Sequence, residues 1–253
     1  MTVGLLHPGE MGSAVGATLR SAGHSVLWAS AGRSPETAAR AESAGLLDAE
    51  TTEELTQRSE LILSICPPHA ALDVARSVAG FDGLFVDANA VSPATAREIA
   101  AGIEGSFVDA GIVGPPPREA GSTRIYLSGR DAETVAALFD GTALEPRVIS
   151  EEPGSASALK MTYAAWTKGT AAMLLAIRAL ARAEGVEAPL VEEWETSLPE
   201  LPGRFAAAER SAQRKGWRWV AEMEEIASTF ASADLPDGFH RAAAEVFRRA
   251  KAG

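Results

Sequence analysis

Short apolar runs alternate with amphipathic stretches over the first 150 residues of this chain. The runs at 3–6, 26–28, 61–66, 84–87, 107–110 and 125–128 are too short for helices and too continuous for half-exposed strands. They read as strands buried on both faces, with 147–149 as a short last one. Helical patterns fall between them. The first runs to about residue 21. Ser34-Pro35 and Ser92-Pro93 each place a capping hydroxyl before a proline, predicting helices to about 44 and 101. Further helices are expected at 69–78 and 132–139. Strands alternating with helices predict a doubly wound α/β sheet.

The pattern changes after Pro153. Residues 155–184 lack proline and any period-two alternation, and they are rich in Ala, Leu, Met and Lys. One helix about 45 Å long is expected there, ended by Gly185. Residues 189–252 read as three or four helices, with breaks at Leu198-Pro-Glu-Leu-Pro-Gly203, Lys215-Gly216 and Leu235-Pro-Asp-Gly238. The expected organisation is an α/β domain at 1–152 and an all-α domain at 153–253. A long helix leaving such a domain often buries its apolar face on a second subunit. A homodimer is therefore expected, with a self-contained monomeric bundle as the alternative.

Chemistry enters at the first strand–helix junction, Val3-Gly-Leu-Leu-His-Pro-Gly9-Glu-Met-Gly12-Ser-Ala-Val-Gly16. Backbone N–H groups at a helix N-terminus and the helix dipole together favour a pyrophosphate. Gly9 admits the phosphates, Gly12 allows helix and strand to pack closely, and Gly16 keeps that contact close one turn later. In the pattern G-x-G-x-x-G the first glycine is His7, followed by Pro8. A tight turn holding no ligand is the alternative reading.

NAD-specific sites carry an acid after the second strand to bind the ribose hydroxyls. Here that segment is Ala29-Ser-Ala-Gly-Arg33-Ser34, with no acid. Arg33, Ser30 and Ser34 suit a 2′-phosphate, because guanidinium recognises phosphate bidentately. NADP(H) is expected over NAD(H), and a solvated loop arginine is the alternative. Composition narrows the partners. A net charge of −11 argues against nucleic acid or an anionic membrane surface. No 18-residue apolar run is present to span a bilayer. The first residues lack a signal peptide's basic and apolar regions, and the single cysteine, Cys66, excludes an internal disulfide. A cytoplasmic protein with a small-molecule substrate is expected. The four histidines are too scattered for a metal site.

Four segments in order resemble the β-hydroxyacid dehydrogenase and 6-phosphogluconate dehydrogenase superfamily. They are His7-Pro-Gly9-Glu-Met-Gly12, Asp87-Ala-Asn-Ala-Val-Ser92-Pro93, Asp109-Ala-Gly-Ile-Val-Gly114 and Gly154-Ser-Ala-Ser-Ala-Leu-Lys160. The tail segment Trp217-Arg-Trp-Val-Ala-Glu-Met-Glu-Glu-Ile-Ala227 resembles a bacterial subgroup with a short helical C-terminal domain. The resemblance implies a Rossmann domain and an NAD(P)-dependent oxidoreductase. The cofactor would lie on His7, Pro8, Gly9, Glu10, Met11 and Gly12, with Cys66, Pro67 and Asn89 at the ends of later strands. It also implies Lys160 as general acid–base, since hydride transfer at a carbonyl or alcohol carbon needs a group that gives or takes a proton. A buried lysine does this when desolvation brings its pKa toward neutrality. Lys160 is expected to project into the cleft between the domains.

Ser92 and Gly114 would touch substrate, although Ser92 equally fits a helix cap; Tyr163 and Thr167 share the helix face of Lys160 and would line the pocket. Lys168 is a competing lysine outside the motif register. His240 is expected to pack, and Glu222, Glu224 and Glu225 to form a solvated face. The chain departs from the family at Ala164, where an asparagine is usual, and at Val113-Gly114-Pro115, where Ser-Gly-Gly is usual. Pro115-Pro-Pro117 is shared with imine reductases, but those typically carry Asp or Tyr where Lys160 stands. A hydroxy acid or its keto form is therefore the expected substrate. An imine reductase and a noncatalytic NADPH-binding sensor or scaffold are the alternatives.

Overall fold

The computed structural model describes residues 1–251. It divides into two compact units, the first Met1–Lys160 and the second from Met161 onward. The first unit holds one eight-stranded sheet. Its strands are β1 (Thr2–Leu6), β2 (Ser25–Trp28), β3 (Leu47–Asp48), β4 (Leu61–Ser64), β5 (Leu84–Asp87), β6 (Ser106–Val113), β7 (Thr123–Ser128) and β8 (Leu144–Ser150). The order is β3-β2-β1-β4-β5-β6-β7-β8. Strands β1 to β6 run parallel, β7 is antiparallel to β6, and β8 is parallel to β7. The order reverses between β1 and β4, which in open α/β sheets opens a ligand crevice at the strands' C-terminal ends.

Alternating strand residues explain the core. Val3, Leu5, Leu61, Leu63 and Val86 belong to one buried cluster, whereas Leu6, Ile62 and Phe85 belong to another. Successive side chains point to opposite faces, so both faces of the sheet are covered. The helices that cover them are α1 (Glu10–Ser21), α2 (Pro35–Ser43), α3 (Thr52–Arg58), α4 (Ala71–Arg76), α5 (Pro93–Ala101) and α6 (Ala132–Ala137). The two serine caps form as expected. Ser34 Oγ accepts the Thr37 N–H at 3.3 Å, and Ser92 Oγ accepts the Thr95 N–H at 3.2 Å.

Two elements differ from the sequence reading. β3 and α3 had no counterpart in it, because β3 is only two residues long and both are exposed. The expected break at Lys215-Gly216 does not occur. Helix α7 (Ser155–Ala183) is followed by α8 (Glu187–Ser197), by an unbroken 32-residue α9 (Leu201–Ser232) and by α10 (Gly238–Lys251). Gly216 is buried on α9, with the Phe247 carbonyl of α10 3.8 Å from where a Cβ would stand. Packing against α10 overrides the helix cost of glycine there. That distance is ordinary contact, so Gly216→Ala is expected to raise stability by about 0.5–1 kcal/mol in urea unfolding, the helix propensity gained by alanine.

Within the second unit, the Trp219 and Phe247 rings meet edge-on at 5.1 Å. Arg178 lies 4.2 Å over the Phe205 ring and pairs with Glu187, fastening α8. Tyr163, Trp166, Met173, Ile177 and Leu180 are exposed at spacings of three, four and seven residues, an apolar stripe along α7. No helix among the described residues is long and apolar enough to cross a membrane.

Candidate active site

The turn after β1 is built on a left-handed residue. His7 has φ 66°, a conformation that glycine adopts freely and histidine does not. It lets the His7 carbonyl accept the Gly9 N–H at 2.7 Å. A Cβ on Gly12 would stand 2.7 Å from that same carbonyl, so only glycine fits the start of α1 there. At Gly9, which caps α1, a Cβ would meet nothing within 4 Å. Open space in front of a helix N-terminus is a cradle for an anion. Glu10 and Met11 form the helix's first turn.

The loop after β2 faces this turn. Arg40 of α2 donates to the Pro8 carbonyl at 3.4 Å and to Thr37 Oγ1 at 2.9 Å, tying the two together. The Arg33 N–H bonds the Ser30 carbonyl at 3.0 Å. Two buried nitrogens here have no partner: His7 Nδ1 and Arg33 Nε. Burial, and then the Arg33 charge, push the His7 pKa down to about 4. An acid missed in the sequence also lies near this loop. Asp48, at the end of β3, accepts the Ser30 N–H at 3.3 Å and the Glu50 N–H at 2.7 Å. Its signal was hidden because it comes from a neighbouring strand rather than from the loop after β2.

The depressed His7 pKa has a consequence for stability. The unfolded chain takes up a proton near pH 6.5 that the folded chain refuses until about pH 4. Stability is therefore expected to fall as pH drops from 6.5 toward 4. Urea midpoints measured across that range should show the fall, and His7→Gly should lessen it.

Beyond the switch point, Asn89 organises the ends of β4 and β5. Its Oδ1 accepts the Cys66 N–H at 2.6 Å, and its Nδ2 donates to Ser64 Oγ at 3.0 Å and to Asp87. Pro67 follows directly. Burial and then the Asp87 charge push the Cys66 thiol up to about 12, so it stays protonated.

Asp109, read in the sequence only as the start of the Asp109–Gly114 segment, anchors the end of the sheet to α7. It is fully buried in β6, and its Oδ2 accepts from Ser128 Oγ at 3.0 Å, the Gly154 N–H at 3.0 Å and the Ser157 N–H at 2.9 Å. Its Oδ1 accepts from Ser157 Oγ at 2.6 Å. One carboxylate thus joins β6 and β7 to the positive end of α7. That anchoring seats Lys160, whose Nζ donates to the Ile112 carbonyl at 2.6 Å. Gly111 makes the approach possible. A Cβ there would lie 2.9 Å from the Ala156 carbonyl and 3.0 Å from Lys160 Cβ. Gly114 has φ 128° and would bring a Cβ within 2.5 Å of the Ser122 carbonyl, so it is required by the turn itself.

Tyr163 and Thr167 are exposed on α7, and the Thr167 hydroxyl bonds back to the Tyr163 and Ala164 carbonyls at 3.4 Å. Lys168 is taken up by a buried ion pair with Glu222 at 2.5 Å. Glu222 is therefore not part of a solvated face; the pairing needed two segments far apart in sequence. His240 packs against Phe230 at 4.2 Å and Phe239 at 5.2 Å, and burial lowers its pKa. Among the described residues no group of His, Cys, Asp and Glu is arranged to hold a metal.

A strand order reversing at β1 and β4, over a glycine cradle at a helix N-terminus, defines a dinucleotide-binding protein of the Rossmann class. Residues 2–143 match the NAD binding domain of 6-phosphogluconate dehydrogenase, and residues 181–250 match a domain of unknown function, DUF1932. The chain belongs to the 6-phosphogluconate dehydrogenase-like family of NAD(P)-dependent oxidoreductases. A relative from Methanothermus fervidus, an uncharacterized 28.5 kDa protein in the 7S RNA 5′ region, is 32% identical over 68% of the chain. The match spans 66% of that relative's length. A conserved protein of unknown function with structural similarity to 3-hydroxyacid dehydrogenases is 30% identical, covering 100% of this chain and 97% of its own, at TM-score 0.72. The fold is shared with 3-hydroxyisobutyrate dehydrogenase from Salmonella typhimurium (20% identity, 98% and 93% covered, TM-score 0.73). It is shared less closely with an imine reductase from Streptomyces aurantiacus (22% identity, 98% and 94% covered, TM-score 0.55).

Proposed function

We propose that this chain transfers hydride between NADP(H) and a small hydroxy acid or its keto form, with Lys160 as the general acid–base. The observation that carries the reading is the Lys160 amine, held at the Ile112 carbonyl by a helix that Asp109 anchors. In the reducing direction the Lys160 ammonium gives a proton to the carbonyl oxygen. In the oxidising direction the neutral amine takes it from the hydroxyl. When bound, the nicotinamide supplies or accepts the hydride.

The rest of the cofactor site follows from its donors. The backbone of Gly9 to Gly12 would take the pyrophosphate, with Pro8 closing the turn. Arg33, with Ser30 and Ser34 near it in the chain, would take the 2′-phosphate, and the buried Arg33 Nε, which has no protein partner, is a donor suited to it. Asp48 accepts the Ser30 and Glu50 N–H groups through Oδ1. Cys66, Pro67 and Asn89 line the strand ends the cofactor would pass. Ser92 caps its helix and, in this reading, offers a hydroxyl near substrate, with the turn at Gly114 as a further substrate contact. The exposed α7 stripe supports a homodimer, since water is a poor neighbour for so many apolar side chains on one face. The domains are assigned to 1–152 and 153–253.

A panel of 3-hydroxy acids, their keto forms and cyclic imines, assayed with both cofactors, tests this reading. Turnover of hydroxy or keto acids with NADPH is expected. Turnover of imines alone would select an imine reductase, and tight NADPH binding with no turnover would select a sensor. Arg33→Ala should weaken NADPH binding about 10- to 100-fold, as expected for a charged hydrogen bond, and leave NADH unchanged.

A further inference from the structure

We propose that His7 is a specificity residue for the 2′-phosphate of NADP(H), its imidazole and the Arg33 guanidinium closing on one anion. The proposal rests on the NADP(H) reading and gives the His7 side chain, placed so far only in the cofactor turn, a part in choosing between the two dinucleotides.

Three observations converge on His7. The first is its backbone. Position 7 sits at φ 66°, where glycine is free and a side-chain-bearing residue is strained by about 1 kcal/mol or more. A histidine held there has a use that offsets the strain.

The second is the pair of orphaned nitrogens. His7 Nδ1 and Arg33 Nε are both buried, and neither has a hydrogen-bond partner. Buried polar atoms are rarely left unpaired, and each costs about 1–3 kcal/mol when they are. Arg33 Nε is always a donor, so its missing partner is an acceptor. In the tautomer that carries its proton on Nδ1, the neutral imidazole offers a donor of the same kind. Two buried donors without protein partners, one in the glycine turn and one in the loop after β2, suit an anion.

The third is location. His7 belongs to the glycine turn and Arg33 to the loop after β2, and the Arg33 charge is felt at the imidazole. In this fold the adenosine ribose lies between those two segments, with the pyrophosphate beyond it at the helix N-terminus. An anion shared by both side chains is therefore the ribose 2′-phosphate rather than the pyrophosphate. Arg40, which bonds the Pro8 carbonyl and Thr37, holds the two segments together from behind.

Fluorescence titration of NADPH and NADH into the full chain, His7→Gly and Arg33→Ala tests this. Glycine suits a left-handed turn, so His7→Gly keeps the fold; thermal melting of that variant should show no loss. The expected result is a fall of about tenfold in NADPH affinity, the equivalent of one hydrogen bond to a charged group, with NADH affinity unchanged. If Arg33→Ala removes the preference for NADPH while His7→Gly retains it in full, His7 has no part in recognition and the NADP(H) reading survives. If the unmodified chain binds both dinucleotides equally, the NADP(H) reading fails, and this proposal with it. Equal losses of NADPH and NADH in His7→Gly would also overturn it, because the turn and not the phosphate would then be the cause.

Discussion

Lys160→Ala is expected to lower kcat by about 10²- to 10⁴-fold, the usual contribution of a positioned acid–base group, while NADPH binding stays within twofold of the unmodified chain. The amine is the only part of this side chain assigned to chemistry, and it donates to the Ile112 carbonyl of β6. Lys160→Arg should not restore turnover. Guanidinium remains protonated at any working pH and cannot take a proton from a hydroxyl. Single-turnover measurements with preloaded NADPH would separate the chemical step from binding. Turnover of the alanine variant equal to the unmodified chain would remove Lys160 from the mechanism.

The largest effect on stability is expected at Asp109. Removing a carboxylate that accepts four hydrogen bonds strands two backbone N–H groups and two hydroxyls in the interior. At about 1–3 kcal/mol for each unsatisfied group, partly relieved by relaxation, Asp109→Ala should cost about 3–5 kcal/mol in urea unfolding. Asp109→Asn keeps the shape but turns an NH₂ group toward donors, and should cost nearly as much. Because the same carboxylate seats the start of α7, kcat in the asparagine variant should fall with the disturbance of Lys160 even where the chain stays folded. A variant as stable as the unmodified chain would show that α7 holds its place without Asp109.

Much of the first unit was legible because its strands are buried on both faces and its helices carry explicit caps. Ser34 and Ser92, each followed by proline, are found capping the helices they were expected to begin. What stayed hidden was tertiary. Leu47–Asp48 is too short and too exposed to leave a period. Gly216 looks like a helix break in isolation, and only the α10 backbone beside it makes a continuous helix reasonable. The candidate site shows the same division. The glycine turn could be read locally and Lys160 was singled out by the resemblance, whereas the hydrogen bonds of Asp109 join it to residues 19 to 48 positions away. The left-handed His7 reads as a broken motif in sequence and as a working turn in three dimensions.

The buried, protonated sulphur of Cys66 leaves the native chain silent toward maleimides and other alkylating reagents. Any labelling that does occur must await opening of the β4 end, so the rate of alkylation becomes a clock for local unfolding at the crevice. Reagents placed on a cysteine introduced elsewhere would report from that position alone.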